Sequence, residues 1–411
     1  MKTLQLSYSS KSGGAGIAAN RLHRGLQLLE ADSWMLVNKI NGSEPGVVGP
    51  SHYLDKVAAK IFPRLDWAPG KLSKTKLDRV SSAFLPDRLV KRVDDISPDV
   101  LNLHWVNDGF MSISTLPKFK YPLVWTLHDM WPFCGGEHYV GDSIRYKEGY
   151  LSENRPRNEN RLDLHKRIWM RKKKYWSKLV SRMVIAAPSR WMARCAMESA
   201  LLRDFRVEVL PNGIDHRRFC PVDHAVVRRI LGFPLDKKLI LFGAGSATSD
   251  KRKGYHLLVS AIKMLEKNTD LSDCELVIFG SDSGADNFKM KTHYLGVLAD
   301  EISLALVYAA SDVFVAPSIE DNLPNTVLES LSCGTPVVAF EIGGMPDMIS
   351  HKKSGFLGSP FSIEELARGI GWVLGNEQRW KKLSASAREE VVTKFTLECS
   401  ARRYLDLYEG I

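Results

Sequence analysis

Short apolar runs separated by helical stretches constrain this chain more than any other feature. The first half reads "LQLSYSS", "SWMLVN", "VLNLHWV", "PLVWTLHD" and "RMVIAAPS", with helical stretches such as "GGAGIAANRLHRGLQLL" between runs. Runs of this length, alternating with helices, predict parallel α/β sheets. After "VEVLPNGIDHRRF", whose Pro-Asn-Gly marks a turn, the pattern restarts with "KLILFGAG", "CELVIFGS", "DVFVAPS" and "TPVVAFEIGG". Two doubly wound domains are therefore expected, with the boundary near residues 205 to 220. Their assigned spans are 1–210 and 211–390. The tail 391–411 is expected to be a helix packing back on the first domain. Residues 53 to 92 look helical and basic, without a strand. Residues 135 to 165 are weakly patterned and read as an exposed excursion. No short-period repeat is visible, which argues against a solenoid. Open α/β sheets bind ligands at strand C-termini, so a cleft between the two domains is the expected site.

The 411 residues are too many for one ordinary core. Hydrophobic content of 44% and charged content of 25% are those of a soluble globular protein. No apolar run approaches the roughly 20 residues that span a bilayer, and "MKTLQLSYSS" reads as a first strand rather than a leader. Six dispersed cysteines with no CxxC pair indicate neither a zinc site nor a redox pair. They read as core residues in a reducing compartment, hence a cytoplasmic protein. The net charge of +10 is uneven: residues 1 to 205 hold 33 Lys+Arg against 20 Asp+Glu, the remainder 24 against 27. This asymmetry points to an anionic partner for the first half. Its densest part, residues 161–182, "RLDLHKRIWMRKKKYWSKLVSR", has two readings. One is an amphipathic helix on anionic lipid, making the protein peripheral on the inner face of the cytoplasmic membrane. The other is a helix that packs Trp169 and Trp176 into its own domain.

Four stretches carry candidate chemistry. "SSKSGGAGIAANRL" places Gly13 and Gly14 at a helix start that can meet an anion. Gly14-Ala15-Gly16 with Ala19 fits a loose dinucleotide pattern, but the second strand ends "MLVNK" without the acid that a ribose needs, and no P-loop is present. In "WTLHDMWPFCGG", His128 and Asp129 follow a strand, where a histidine is as readily structural as functional. Lys251, Arg252 and Lys253 precede Gly254 and a helix, as diphosphate groups or as an ordinary exposed loop. In "EDNLPNTVLESLSCGTP", Asp321 and Asn322 follow a strand, Pro324 suits a first helical position, and a helix is expected from about Asn325 to Cys333, ended by Gly334. The N–H groups around Asn322, Leu323 and Asn325 would suit a phosphate. Glu329, about one turn in, could accept bonds from ribose hydroxyls, and Asp321 from sugar hydroxyls. The bland alternative is surface acids near a helix start, which the dipole tolerates.

These pieces, with "PNGIDHRRF", "LGVLADEISLALVYAASDVFVAPS" and "GGMPDMI", resemble glycosyltransferase family 4, enzymes of the GT-B fold, which implies two Rossmann-like domains. "TLHDMWPF" is similar to the branch that builds bacterial polysaccharides such as colanic acid and O-antigen. The resemblance implies retaining transfer from a UDP- or GDP-sugar, without metal or tightly bound cofactor. The acceptor implied is a glycan or lipid-linked oligosaccharide of cell-surface polysaccharide biosynthesis. It makes the first domain the acceptor side and the second the donor side. In it Asp321, separated from Glu329 by seven residues, takes the place of the family's first glutamate by the donor sugar, and Glu329 meets the ribose. Lys253 matches the diphosphate lysine. The partner arginine is absent after the preceding strand, leaving Arg252 or Lys251 to stand in. His128 matches the histidine near the donor sugar, Gly13 and Gly14 the loop over the diphosphate, and Asp347 replaces a more usual Glu. The cysteine cluster of some relatives is missing from "GGEHYVGDSIRYKEGY", so no metal or disulfide is expected there. The implied chemistry passes through an oxocarbenium-like state, and the departing phosphate oxygen takes the acceptor's proton.

Other functions remain open from sequence. A GT-B epimerase or phosphorylase would share the fold, and a phosphorylase would need a pyridoxal cofactor for which no signal is seen. A nucleic-acid-binding protein using residues 161–182 would show steep salt dependence and would leave the second-domain motifs unexplained. No nucleic-acid partner is expected.

Overall fold

A computed structural model describes residues 1–72, 80–157, 163–245, 247–268, 270–284 and 288–411. The chain divides into two compact units: Met1–Pro211 with Ser400–Ile411, and Asn212–Cys399. In the first, strands β1 (Lys2–Ser9), β2 (Asp32–Lys39), β3 (Val47–Val48), β4 (Val100–Leu103), β5 (Leu123–Thr126), β6 (Met183–Ala187) and β7 (Arg206–Val209) form a parallel sheet ordered β3-β2-β1-β4-β5-β6-β7. In the second, β8 (Lys238–Gly243), β9 (Cys274–Phe279), β10 (Thr292–Tyr294), β11 (Val313–Ala316), β12 (Val337–Phe340) and β13 (Gly355–Gly358) are ordered β10-β9-β8-β11-β12-β13. In both sheets the strand order reverses beside the first strand, the switch point at which doubly wound sheets take ligands.

The interior strands are those that read as apolar runs, because a parallel sheet covered on both faces buries every position. Residues of β4, β5, β6, β9, β11 and β12 are buried throughout. The four strands that the sequence reading left out, β3, β7, β10 and β13, are the sheet edges. Three of them are incompletely buried, and β13 reads "GFLG", with two glycines at its ends. Helix starts follow ordinary capping: Asp223, Asp300, Ser362 and Asn376 each accept from a backbone N–H three residues on.

Two expectations are corrected, and of the two readings of residues 161–182 the burial of Trp169 and Trp176 favours packing into the first unit. The tail division falls at Ser400 rather than 391: helix Glu377–Lys394 belongs to the second unit, where Val391 is in the core. The last helix, Leu397–Glu409, lays Ala401, Tyr404, Leu407 and Tyr408 against Val100, Val124 and Val184 in the first. Residues 135–165 are no simple exposed loop. Among those described, Glu137, Arg145, Tyr146, Tyr150, Asp163 and His165 are buried; Tyr150 donates to Glu137, which also pairs with His165, and Arg145 pairs with Asp163 at 2.7 Å. Finally, helix Leu164–Trp176 turns Ile168, Trp169 and Trp176 into the core, and Trp176 donates to the Ile113 carbonyl at 2.8 Å. Its Lys172 is buried too, donating to the carbonyls of Trp131, Cys134 and Gly135, and burial pulls its pKa down to about 7. Of the stretch assigned to lipid, Arg161 and Leu162 lie outside the described residues.

Candidate active site

In the second unit, β8 and β11 pair as Ile240 with Val313 and Leu241 with Phe314. The register brings their C-terminal ends level, so the loops after Gly243 and Ala316 are neighbours. They are tied together: the Ile319 N–H donates to the Arg252 carbonyl at 2.9 Å. Lys251–Lys253 form one turn of 3₁₀ helix capped by Asp250. Gly254 then takes φ +73°, and a Cβ there would stand 1.8 Å from the Pro317 carbonyl oxygen. Only glycine lets the basic turn come this close. Lys253 is thereby delivered to Asp321: Nζ to Oδ2 is 2.6 Å, and the Ser318 hydroxyl approaches the same oxygen at 3.4 Å. Arg252 turns elsewhere, donating to Asp250 at 2.9 Å and to the Glu320 carbonyl at 3.2 Å.

Asp321 is held from behind as well. Gly343, at φ +53°, would drive a Cβ to 1.9 Å from the Asp321 carbonyl oxygen, which accepts from the Gly344 N–H at 3.2 Å. Pro324 is the N-cap of helix Asn325–Ser332 rather than its first residue, and Cys333 is its C-cap. Gly334 follows at φ +76°. Asn322 is buried, with its N–H on Asp321 Oδ1 at 3.1 Å, while the Leu323 side chain joins the core. Asn325 is half-buried at the helix start. Glu329 is 4% exposed and accepts from the buried Tyr308 hydroxyl at 3.2 Å. It is no surface acid.

In the first unit, Gly13 and Gly14 open helix Gly13–Leu28 in exposed positions. Ser12, the N-cap, makes no side-chain capping bond; its own N–H donates to the Ser9 hydroxyl at 2.9 Å. Gly16, one turn in, is where strand and helix approach closely, a Cβ there lying 2.9 Å from the Ser9 carbonyl oxygen.

His128 follows β5 and is half-buried. Its Nε2 lies 2.9 Å from Nδ1 of His104, which follows β4, and the rings stack with centroids 5.2 Å apart. Burial lowers both pKa values, His128 to about 4. Asp129 points away. It accepts from Trp105 Nε1 at 2.8 Å, from the Trp131 N–H at 3.0 Å and from His138 at 2.6 Å. Burial opposes its ionisation, but His138 and these bonds outweigh burial and hold its pKa below the usual value. His104 escaped the sequence reading. The signal was present: "NLH" and "TLH" both put a polar residue two places before a histidine at a strand end.

The chain matches the family profile described as Glycosyltransferase Family 4 over residues 12–218 and that of Glycosyl transferases group 1 over residues 224–390. It is 24% identical over 371 residues to the D-inositol 3-phosphate glycosyltransferase of Arthrobacter sp. (strain FB24), covering 85% of this chain and 79% of that one. Among solved structures it resembles sucrose-phosphate synthase from Thermosynechococcus elongatus, with a TM-score of 0.68, 17% identity, and 100% and 99% of the two chains covered. HepE of Anabaena, solved with UDP and glucose, aligns over 100% of both chains with a TM-score of 0.65 and 16% identity. Two parallel α/β sheets and both family profiles lead to one conclusion: the chain belongs to glycosyltransferase family 4 and is a glycosyltransferase of the GT-B type.

Proposed function

We propose that the protein carries out retaining transfer of a sugar from a UDP- or GDP-sugar to a glycan or lipid-linked oligosaccharide in cell-surface polysaccharide biosynthesis. The observation that carries this reading is the Lys253–Asp321 pair at the switch point of the second sheet, beside the start of helix Asn325–Ser332. As the sugar–phosphate bond breaks, negative charge gathers on the diphosphate. Lys253 and the N–H groups at Leu323 and Asn325, joined by that of Asn322 once it leaves Asp321 Oδ1, are the groups to meet it. Leu323 takes part through its backbone, since its side chain is in the core. Arg252, fixed by Asp250 and Glu320, replaces the family's arginine and lends charge rather than a direct clamp. Asp321, released from Lys253 when the diphosphate arrives, is free to accept sugar hydroxyls. Glu329, held by Tyr308, accepts from the ribose. In the first unit, the N–H groups of Gly13 and Gly14 suit a phosphate, and His128 suits a sugar hydroxyl. The acceptor loses its proton to the departing phosphate oxygen. A calorimetric titration with UDP, GDP and NAD tests the reading. One nucleoside diphosphate should bind, and Glu329→Gln should weaken it about tenfold or more without loss of fold. Absence of binding to both UDP and GDP overturns the donor site.

The anionic-membrane contact belongs in this reading on helix Tyr53–Leu72 rather than on Leu164–Trp176. The former exposes Tyr53 (75%), Leu54 (57%), Ile61 (48%) and Leu65 (47%) beside exposed Lys56, Lys60, Arg64 and Lys71, while Asp66 and Gly70 face inward. An apolar strip edged by cations is the pattern of an interfacial helix. Leu164–Trp176 buries Trp169 and Trp176 and exposes Met170 as its single large hydrophobic among charged residues. Sedimentation with phosphatidylglycerol vesicles should fall strongly for Ile61→Glu/Leu65→Glu and little for Lys173→Glu/Lys174→Glu. The opposite ranking rejects the assignment.

A further inference from the structure

A buried chain of hydrogen bonds runs from the last helix to His128. Gln5 on β1 and Asn102 on β4 are register partners. Asn102 Nδ2 donates to Gln5 Oε1 at 3.0 Å and to the Tyr408 hydroxyl at 2.9 Å. Thr126 donates to Asn102 Oδ1 at 3.0 Å and shares a 3.0 Å bond with the Tyr404 hydroxyl. Gln5 Oε1 also lies 3.1 Å from His104 Nε2. All these groups except His128 are fully buried, His104 at 3% exposure.

The chain has a direction. With the Gln5 amide oriented so that Oε1 faces His104, and an amide oxygen able only to accept, His104 carries its proton on Nε2. A neutral imidazole protonated there has only a lone pair at Nδ1. The bond at 2.9 Å between the rings must then be donated by His128 Nε2, which leaves the His128 Nδ1 without a proton. That Nδ1 has no protein partner among the described residues. Asp129, the neighbouring charge, is committed to Trp105, Trp131 and His138.

We propose that His104 is a positioning residue: it fixes the tautomer of His128 so that a bare Nδ1 is presented to accept a hydrogen bond from a hydroxyl of the bound sugar. The opposite tautomer would present a donor, which an acidic or ether oxygen could use but which would leave a hydroxyl to act as acceptor. The second clause rests on the reading of His128 as sugar-facing; the tautomer itself does not.

The test separates the two. Long-range ¹H–¹⁵N correlation on the full chain, with His128 assigned by His128→Gln, should show the His128 proton on Nε2. Two replacements of His104 then sharpen it. His104→Asn keeps an acceptor near the old Nδ1 and should retain both the tautomer and kcat. His104→Gln keeps the amide near the old Nε2, and so the buried bond to Gln5, but loses that acceptor. It should mix the His128 tautomers and lower kcat about tenfold, the value of one hydrogen bond, with thermal stability close to wild type. A wild-type proton on Nδ1, or Asn and Gln variants alike in both readouts, overturns the positioning role. If the tautomer is as stated but His128→Ala leaves kcat unchanged, the sugar-facing clause is overturned alone.

Discussion

The two sheets place opposite chemistry at equivalent positions. In the second unit the switch point holds an ion pair, Lys253 with Asp321 at 2.6 Å. In the first, the loops after β4 and β5 hold two stacked imidazoles kept neutral by burial. One arrangement suits phosphate, where charge is gained and lost. The other suits hydroxyls, which need oriented neutral donors and acceptors. A shared fold thus sets where a ligand is met, and the side chains arriving there set what kind.

The largest effect expected from breaking this contrast is at Lys253. Lys253→Ala should reduce kcat by about 100- to 1000-fold, as loss of a group facing developing charge does, with nucleoside diphosphate affinity falling in a titration. It also strands Asp321. Lys253→Ala/Asp321→Asn should therefore recover stability in chemical denaturation without recovering activity; joint recovery would make the pair structural only.

Acid should distinguish the units next. His104 and His128 have folded pKa values lowered by burial, so the unfolded chain binds more protons between the ordinary value and the folded one. Stability is then full above about pH 6.5 and falls as pH drops toward about 4, by up to roughly 1.4 kcal/mol per pH unit for each histidine. Hydrogen exchange of β4 and β5 amides should accelerate over that window, and His104→Asn should blunt the effect. Exchange in β8 and β11, next to no such histidine pair, should change less.

Tyr408→Phe is the smallest. It removes one partner from Asn102 and should cost about 1 kcal/mol in denaturant unfolding, confined to the first unit. A cost near zero would mean that the last helix is held by its apolar contacts with Val100, Val124 and Val184 alone.

Much of this was legible in the residues. Interior strands announce themselves because both faces are covered, and the segments after β5, β8 and β11 that carry His128, Lys253, Asp321 and Glu329 were placed from those strands. Edge strands were not, since β3, β7 and β10 are partly exposed and lack an unbroken apolar run, and β13 is bounded by glycines. The burial of Glu329 under Tyr308 and of Trp169 and Trp176 was not readable either. A helical pattern of aromatics and lysines fits a lipid surface as well as a core. Which face is covered depends on residues far away in sequence, here Ile113, Trp125 and Trp131 around Trp176.

By itself the sequence determined the two α/β units, the interior strands and the residue types at their ends, because periodicity, turn residues and capping are local. Tertiary structure alone decided that Gly254 brings Lys253 onto Asp321, that Asp129 serves His138 rather than His128, and that His104 and Gln5 stand behind His128. The first and last depend on register between strands distant in the chain, which the packed sheet sets as a whole, and the second on how the segment after β5 folds back on itself.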